Sequence, residues 1–241
     1  MGERYPSDEP SELVRLVRVL FTRDADGDLV GINEDDGPRA PMLYVAWSQR
    51  GMLWRVREDV TPALAARIGE IVDKAPVHDA LMQPPAYVAE LRAVLAEAGP
   101  ITDENAGIEY EFPEQVALPE GVVAITTDDI EVLERWMPSW RYYATIGLPM
   151  TAILHDGAAV AVCACVRRPD GATQAGLETH PAFRGHGHAA AVTAAWARAV
   201  RERGLVPLYG TSWSNQASQR VAAKLGLRPY AGSMAFDSKP R

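Results

Sequence analysis

The chain has 241 residues, 47% of them hydrophobic and 23% charged, with a formal net charge of −8. That length is enough for one large domain or two small ones with a proper core. The acidic balance argues against an extended nucleic-acid surface, which depends on Lys and Arg.

No apolar run reaches the ~18 residues of a membrane span, and the opening MGERYPSDEPSE is polar and acidic where a signal peptide is basic and then apolar. Met-Gly is followed by Glu, Arg, Tyr and Pro, without the Ser or Thr of a myristoylation signal. These features predict a cytoplasmic protein with neither a nucleic-acid nor a membrane partner.

In chain order, LVRLVRVLFTRDADGDLVGI opens with Val17, Val19 and Phe21 alternating with Arg18, Leu20 and Thr22, which predicts a strand. Asp24, Asp26 and Asp28 invite a calcium reading. The loop glycine, however, stands fourth rather than sixth and no glutamate is twelfth, so a hairpin turn is expected. MLYVAWS and MLWRVRE flank a turn at Gln49-Arg50-Gly51 and read as paired strands. Thr61 caps a helix with Pro62 at its first position. After Pro84-Pro85, Val88, Leu91 and Leu95 mark another helix, which ends at Gly99-Pro100. Residues 100–120, rich in Pro, Glu and Asp, read as a connector, so residues 1–115 are expected to form a small N-terminal α/β domain.

Residues 116–241 carry a denser pattern. GVVAITT reads as a strand, and Asp128 with Glu131 as a capping box opening a helix. The aromatic stretch WMPSWRYY follows. MTAILHD and AAVAVCACVRR are apolar strands joined at Asp156-Gly157. Cys163 and Cys165, the chain's two cysteines, share a strand face and are too few for a zinc site or a disulfide framework; reduced core thiols are expected. A strand through AGLETH, a loop, a long helix to Gly204, the strand LVPLYGTSW, a helix across NQASQRVAAKLGL and a strand near SMAF complete the chain.

The loop, THPAFRGHGHAAAV at residues 179–192, admits three readings. His180, His186 and His188 lack a neighbouring acidic or cysteine ligand to complete a metal set, so no metal is expected. Gly185, Gly187 and Ala190 satisfy G-x-G-x-x-A. Yet Pro181 to Arg184 intervene after the strand, and LVPLYGTSW lacks the ribose-binding acid of a dinucleotide fold. The third reading is a pyrophosphate cradle. A helix beginning near His188 offers unpaired N–H groups, Gly185 and Gly187 allow close backbone approach, and Arg184 adds a cation. Val192, Trp196 and Val200 would anchor that helix on a sheet.

Arg184-Gly185-His186-Gly187-His188-Ala189 fits the Q/R-x-x-G-x-G/A signature of the GNAT superfamily of N-acetyltransferases, and Thr179-His180-Pro181 resembles the T-x-P that often precedes it. Asn215, Ser218 and KLGL at 224–227 look like the family's second motif. The resemblance covers about the C-terminal half. It implies a mixed α/β sheet flanked by helices and an acyl-CoA, most simply acetyl-CoA, with its pyrophosphate on residues 184–189. The pantetheine arm would lie along the backbone of Leu177 and Thr179, with Asn215 near the thioester.

The reaction implied is acyl transfer to a primary amine of a small molecule. Glu178, the one carboxylate on the strand beside the cofactor, is the candidate base, and its alternative role is an ion pair at a strand end. The sequence departs from the family at Ala222, where many members carry the tyrosine that serves as general acid; Ser218 is the candidate in its place, with Tyr209 and Tyr230 as more distant options. Trp136, Trp140, Tyr142 and Tyr143 stand where family members overhang the acceptor and would serve as core, as pocket, or as both. A CoA-binding module without catalysis, and an acyltransferase using a carrier-bound donor, are the alternative functions. A homodimer is left open as an assembly.

Overall fold

A computed structural model describes residues 5–238, apart from 7, 36 and 118. The first residues of the N-terminal reading therefore lie outside those described. The chain divides into two compact units, Met1–Glu109 with Thr211–Asn215 and Pro229–Arg241, and Tyr110–Gly210 with Gln216–Arg228.

The first unit opens with a correction. Residues Ser11–Leu20 form helix α1, and only Phe21–Arg23 (β1) is strand. Leu13, Leu16 and Val17 are its buried residues along with Val19, a spacing of three and four that belongs to a helix, and it outweighs the short alternation around Val17. β1 pairs antiparallel with β2 (Leu29–Ile32), and in the turn between them Asp24 Oδ1 accepts from the backbone N–H of Asp26 and of Asp28, both at 2.9 Å. β3 (Leu43–Ser48) and β4 (Gly51–Val56) form a hairpin. α2 (Pro62–Asp73) is capped by Thr61, whose Oγ1 accepts from the Leu64 N–H, and α3 (Val88–Ala98) follows.

The expected connector is also corrected. Ile101–Glu111 is an eleven-residue strand, β5, in which Ile108 and Tyr110 are buried. Its polar first half hides the alternation.

In the second unit β6 (Val122–Ala124) leads to a 3-10 helix at Thr127–Leu133. The capping box there is Thr126 with Asp129 rather than Asp128 with Glu131, because the helix starts earlier than the apolar spacing suggests. A second 3-10 turn, Pro138–Trp140, runs into the short helix α4 (Arg141–Thr145). β7 (Met150–His155) and β8 (Ala158–Cys165) are joined by Asp156-Gly157, both at positive φ, as the two-residue hairpin requires. β9 (Ala172–Thr179), helix α5 (His188–Glu202), β10 (Val206–Ser212) and helix α6 (Gln216–Lys224) complete it.

The strand order in this unit is β10-β9-β8-β7-β6, with β9 and β10 parallel and the other neighbours antiparallel, a mixed sheet. β8 is buried along its whole length. α5 covers the sheet through Val192, Trp196 and Val200, all fully buried, and lies against β7, β8 and β9. Trp196 Nε1 donates to Cys165 Sγ at 3.3 Å and Thr151 Oγ1 to the Val192 carbonyl at 2.8 Å. Both cysteines are free and buried, and burial pushes the Cys163 thiol well above its ordinary value.

The last strand, β11 (Arg228–Ser238), returns to the first unit, where it pairs antiparallel with β3 from Gly232↔Trp47 to Phe236↔Leu43. Alternation on β3 then splits the core. Leu43, Val45 and Trp47 face α2 and α3, while Tyr44 and Ala46 face Leu13, Leu16 and Val17 of α1.

The stretch before α1 is tied down by a buried ion pair. Arg55 donates to both oxygens of Glu9, at 2.7 and 2.6 Å, and lies over the Tyr5 ring at 4.0 Å. The side chains are 9% and 7% exposed, so truncating one partner leaves an uncompensated charge out of water. Glu9→Ala is expected to destabilise the protein by about 3 kcal/mol, read as a lower urea midpoint at unchanged m-value.

Candidate functional site

β9 is paired on both flanks only over its first residues. Its parallel register with β10 runs from Val206↔Ala172 to Leu208↔Gln174, whereas its antiparallel register with β8 continues to Ala161↔Thr179. From Ala175 to Thr179, therefore, the registered pairing of β9 is with β8 alone. The strand stops at His180, whose N–H still reaches the Val160 carbonyl at 2.9 Å, and Pro181–Phe183 turns the chain in a 3-10 helix.

Arg184 then resumes extended backbone and folds its side chain back, Nε donating to the Thr179 carbonyl at 3.1 Å. Gly185 and Gly187 both adopt left-handed backbone, at φ 85° and 83°, which an L side chain rarely tolerates. Gly187 is the N-cap of α5 and offers no side chain to its first turn. The N–H groups of His188, Ala189 and Ala190 consequently have no intrahelical acceptor, and the positive end of a fifteen-residue helix is exposed at the loop. A Cβ on Gly185 would meet nothing within 4 Å, whereas one on Gly187 would overlap the Lys224 ammonium.

Lys224, at the end of α6, is thus a second cation at this loop beside Arg184. Sequence reading placed it in a motif without assigning it to phosphate, and no local pattern could have done so, since it reaches the loop from another helix. No carboxylate among the described residues pairs with it.

Of the three histidines, His186 accepts or donates at Nδ1 to the Phe183 carbonyl at 3.2 Å and stacks on His188, with ring centroids 5.6 Å apart. Partial burial, then the neighbouring His186 and His155, lower the pKa of His188. His180 points elsewhere, its ring 4.4 Å from that of Trp136. Among the described residues no group of three or more His, Cys, Asp or Glu side chains is placed to hold a metal ion.

Glu178 is exposed on β9, opposite Val162 of β8, and its Oε2 accepts from Trp140 Nε1 at 2.6 Å. Leu177 and Thr179, its neighbours in the alternation, are half-buried, and Thr179 Oγ1 and His180 Nδ1 are buried atoms without hydrogen-bond partners. Trp136, Trp140 and Tyr143 pack on the core formed by Ile125, Leu133, Met137, Ala152 and Val162, so these aromatics are core on one side while Trp140 reaches the strand on the other. Tyr142, 44% exposed, stays outside that core and stacks edge-on against Tyr143.

Ser218 lies on α6 with its Oγ 2.7 Å from the hydroxyl of Tyr209 on β10. Burial pushes the Tyr209 phenol up to about 12. Ala222, in place of the family tyrosine, is fully buried. Asn215 belongs to the first unit, is exposed, and donates its backbone N–H to the Ser212 carbonyl at 3.1 Å. Tyr230 also lies in that unit, against the α1 side of its core.

Residues 132–231 match a family model described as GNAT acetyltransferase. No curated protein matches the chain. Among solved structures, a GNAT-family protein from Novosphingobium aromaticivorans is 20% identical, with 59% of this chain and 68% of that chain covered and a TM-score of 0.47. A GNAT-family acetyltransferase from Colwellia psychrerythraea is 13% identical over 78% and 76% of the two chains, with a TM-score of 0.49. A GCN5-related N-acetyltransferase-like protein from Streptococcus suis is 18% identical over 83% and 85%, with a TM-score of 0.47. Residues 132–231, which hold β9, the glycine loop, α5 and α6, are thus similar to a GNAT acetyltransferase domain.

Proposed function

We propose that the protein transfers an acetyl group from acetyl-CoA to a primary amine of a small molecule in the cytoplasm. The observation that carries this reading is the loop at 184–188. Two left-handed glycines bring a helix N-terminus to the surface, and two cations, Arg184 and Lys224, flank it. Like charges gathered with no carboxylate paired to them among the described residues favour an anion, and a pyrophosphate supplies two adjacent ones.

The residues present fit such a donor. The face of Gly185 is open, the N–H groups of residues 188–190 are free of intrahelical acceptors, and β9 from Ala175 to Thr179 is registered on one flank only. That flank suits the extended pantetheine arm, which would hydrogen-bond the backbone at Leu177 and Thr179. When bound, the thioester supplies an activated acyl group on a thiolate leaving group.

What the chain itself must do is handle protons. The acceptor arrives as an ammonium and attacks only as a free amine. Glu178 takes that proton, directly or through one water, and the exposed strand end returns it to solvent. Attack forms the C–N bond and breaks the C–S bond, and the proton that nitrogen must then lose to become an amide passes to Glu178 and on to solvent. The departing sulfur takes a proton from the Ser218 hydroxyl, and Ser218 recovers one from water through its contact with Tyr209. The aromatic faces of Trp140, Tyr142 and Tyr143 beside a carboxylate favour an acceptor with a cationic amine on an apolar stem.

Fully buried Ala222 in the family's tyrosine position favours the second reading, a CoA-binding module without turnover. The acidic composition offers little support for a basic patch that would dock a carrier-bound donor.

Acetyl-CoA is expected to bind the wild type in calorimetry at micromolar concentration, and Gly187→Trp, which fills the cradle, is expected to abolish binding. No binding by folded wild type would overturn the free-CoA reading. Lys224→Met is expected to weaken binding about fivefold and to flatten its salt dependence, the size of one partly screened charge contact. With an acceptor found by following thiol release over an amine panel, Glu178→Gln is expected to lower kcat about 100-fold while leaving acetyl-CoA affinity unchanged. Binding without release on any amine would favour the non-catalytic module.

A further inference from the structure

We propose that Trp140 is the positioning residue for Glu178, an inference that rests on the reading of Glu178 as base. The juxtaposition joins residues 38 apart in sequence through one hydrogen bond, from the indole Nε1 to Oε2 at 2.6 Å.

A glutamate at an exposed strand end is ordinarily a mobile group, and its carboxylate sweeps through several rotamers. Nothing on β8 restrains this one, because its cross-strand neighbour is Val162. Among the described residues no Lys, Arg or His pairs with it, and the indole is its hydrogen-bond partner. Trp140 therefore fixes where the carboxylate stands. An indole N–H donates and never accepts, so Oε2 is held as an acceptor. A base must be ionised before it can take a proton. With Oε2 occupied, Oε1 is the oxygen left to receive one.

The donor is itself rigid. Pro138 fixes φ at the first position of its 3-10 turn, and the Trp140 N–H closes that turn on the Met137 carbonyl at 3.0 Å. Met137 is buried, and its own N–H bonds the Leu133 carbonyl at 2.9 Å. One flank of the indole meets Tyr143 with ring centroids 5.3 Å apart, and the ring packs on the core of Leu133, Met137 and Val162. Val162 is the residue opposite Glu178. The same hydrophobic core thus fixes both ends of the hydrogen bond, the strand that bears the carboxylate and the turn that bears the donor. Such support is what holds a reacting group in place without cost at the moment of reaction.

Trp140→Phe keeps an aromatic ring for packing and deletes the N–H. It is expected to lower kcat for the amine about tenfold and to leave KM for acetyl-CoA unchanged. In the Glu178→Gln background the same substitution is expected to have no further effect on kcat, because the group it positions is gone. A packing role alone would lower kcat equally in both backgrounds, so additive losses, or an unchanged kcat in Trp140→Phe, overturn the proposal.

The reciprocal measurement needs no tryptophan variant. In nitrogen-15-labelled protein the Trp140 indole N–H resonance is expected to move upfield in Glu178→Gln, where a carboxylate acceptor is replaced by a weaker amide; a resonance indifferent to that substitution overturns the proposal. Full kcat in Glu178→Gln overturns the base assignment itself, and with it the role of Trp140, whatever the resonance shows.

Discussion

The packing of α5 on a strand of small residues is the interaction on which the second unit depends. β8 reads Ala-Ala-Val-Ala-Val-Cys-Ala-Cys, and every one of its side chains is buried. Residues this small let a helix approach closely, and Trp196 fills the space they leave, bonded to Cys165 Sγ. Thr151 adds a hydrogen bond to the Val192 carbonyl, a polar tie from the sheet into the helix. At the far end Arg201 donates to the carbonyls of Phe112, Pro113 and Glu114, which fastens the incoming chain to the same helix. A helix held at its flank and its C-terminal turn has one end free of such duties. That end is the glycine loop, whose groups are consequently preorganised rather than recruited on binding.

Net charge and local charge have opposite signs here, and the distance over which each acts reconciles them. A formal charge of −8 over the whole chain repels a polyanionic donor at long range. Beyond about 10 Å, physiological salt screens most of that repulsion. Within that distance, on the function proposed, the donor would meet Arg184, Lys224 and the positive end of α5. Glu178 and the aromatic turn would present the opposite character to the acceptor. The cationic loop and the carboxylate stand at the two ends of a short path, from the loop back along β9, an arrangement that would match each proposed substrate to its own sign.

What was legible in the sequence follows from how local each feature is. The Asp-Gly hairpins, the Thr61 cap and the glycine loop are fixed by residues within a few positions of one another, and each was readable. α1 resembles a strand in the sequence because Val17, Val19 and Phe21 mimic one over five positions, while the helical period of Leu13, Leu16 and Val17 needs a longer window and burial to reveal it. β5 reads as a connector because its first half, Thr102 to Asn105, is polar and exposed, and the pairing that makes it a strand comes from elsewhere in the chain. Lys224 beside Gly187 and Trp140 beside Glu178 are products of tertiary folding. Their residue types could be noted in the sequence, but their partners could not.

β9 concentrates these dependencies in one strand. Side chains alternate along it, so Glu178 faces opposite to Leu177 and Thr179, and from Ala175 onward its registered strand partner is β8 alone. The register with β8, which places Val162 opposite Glu178, decides which face carries the carboxylate. A slip of one residue would carry Glu178 to the other face and away from Trp140. That register is hard to slip, because β8 is buried on both faces and its own pairing with β7 is set by the Asp156-Gly157 turn and a bulge after Ile153. The chemistry proposed for an exposed carboxylate thus rests on residues that never meet solvent. Substitutions inside β8 would reach Glu178 through register before they touched the donor loop.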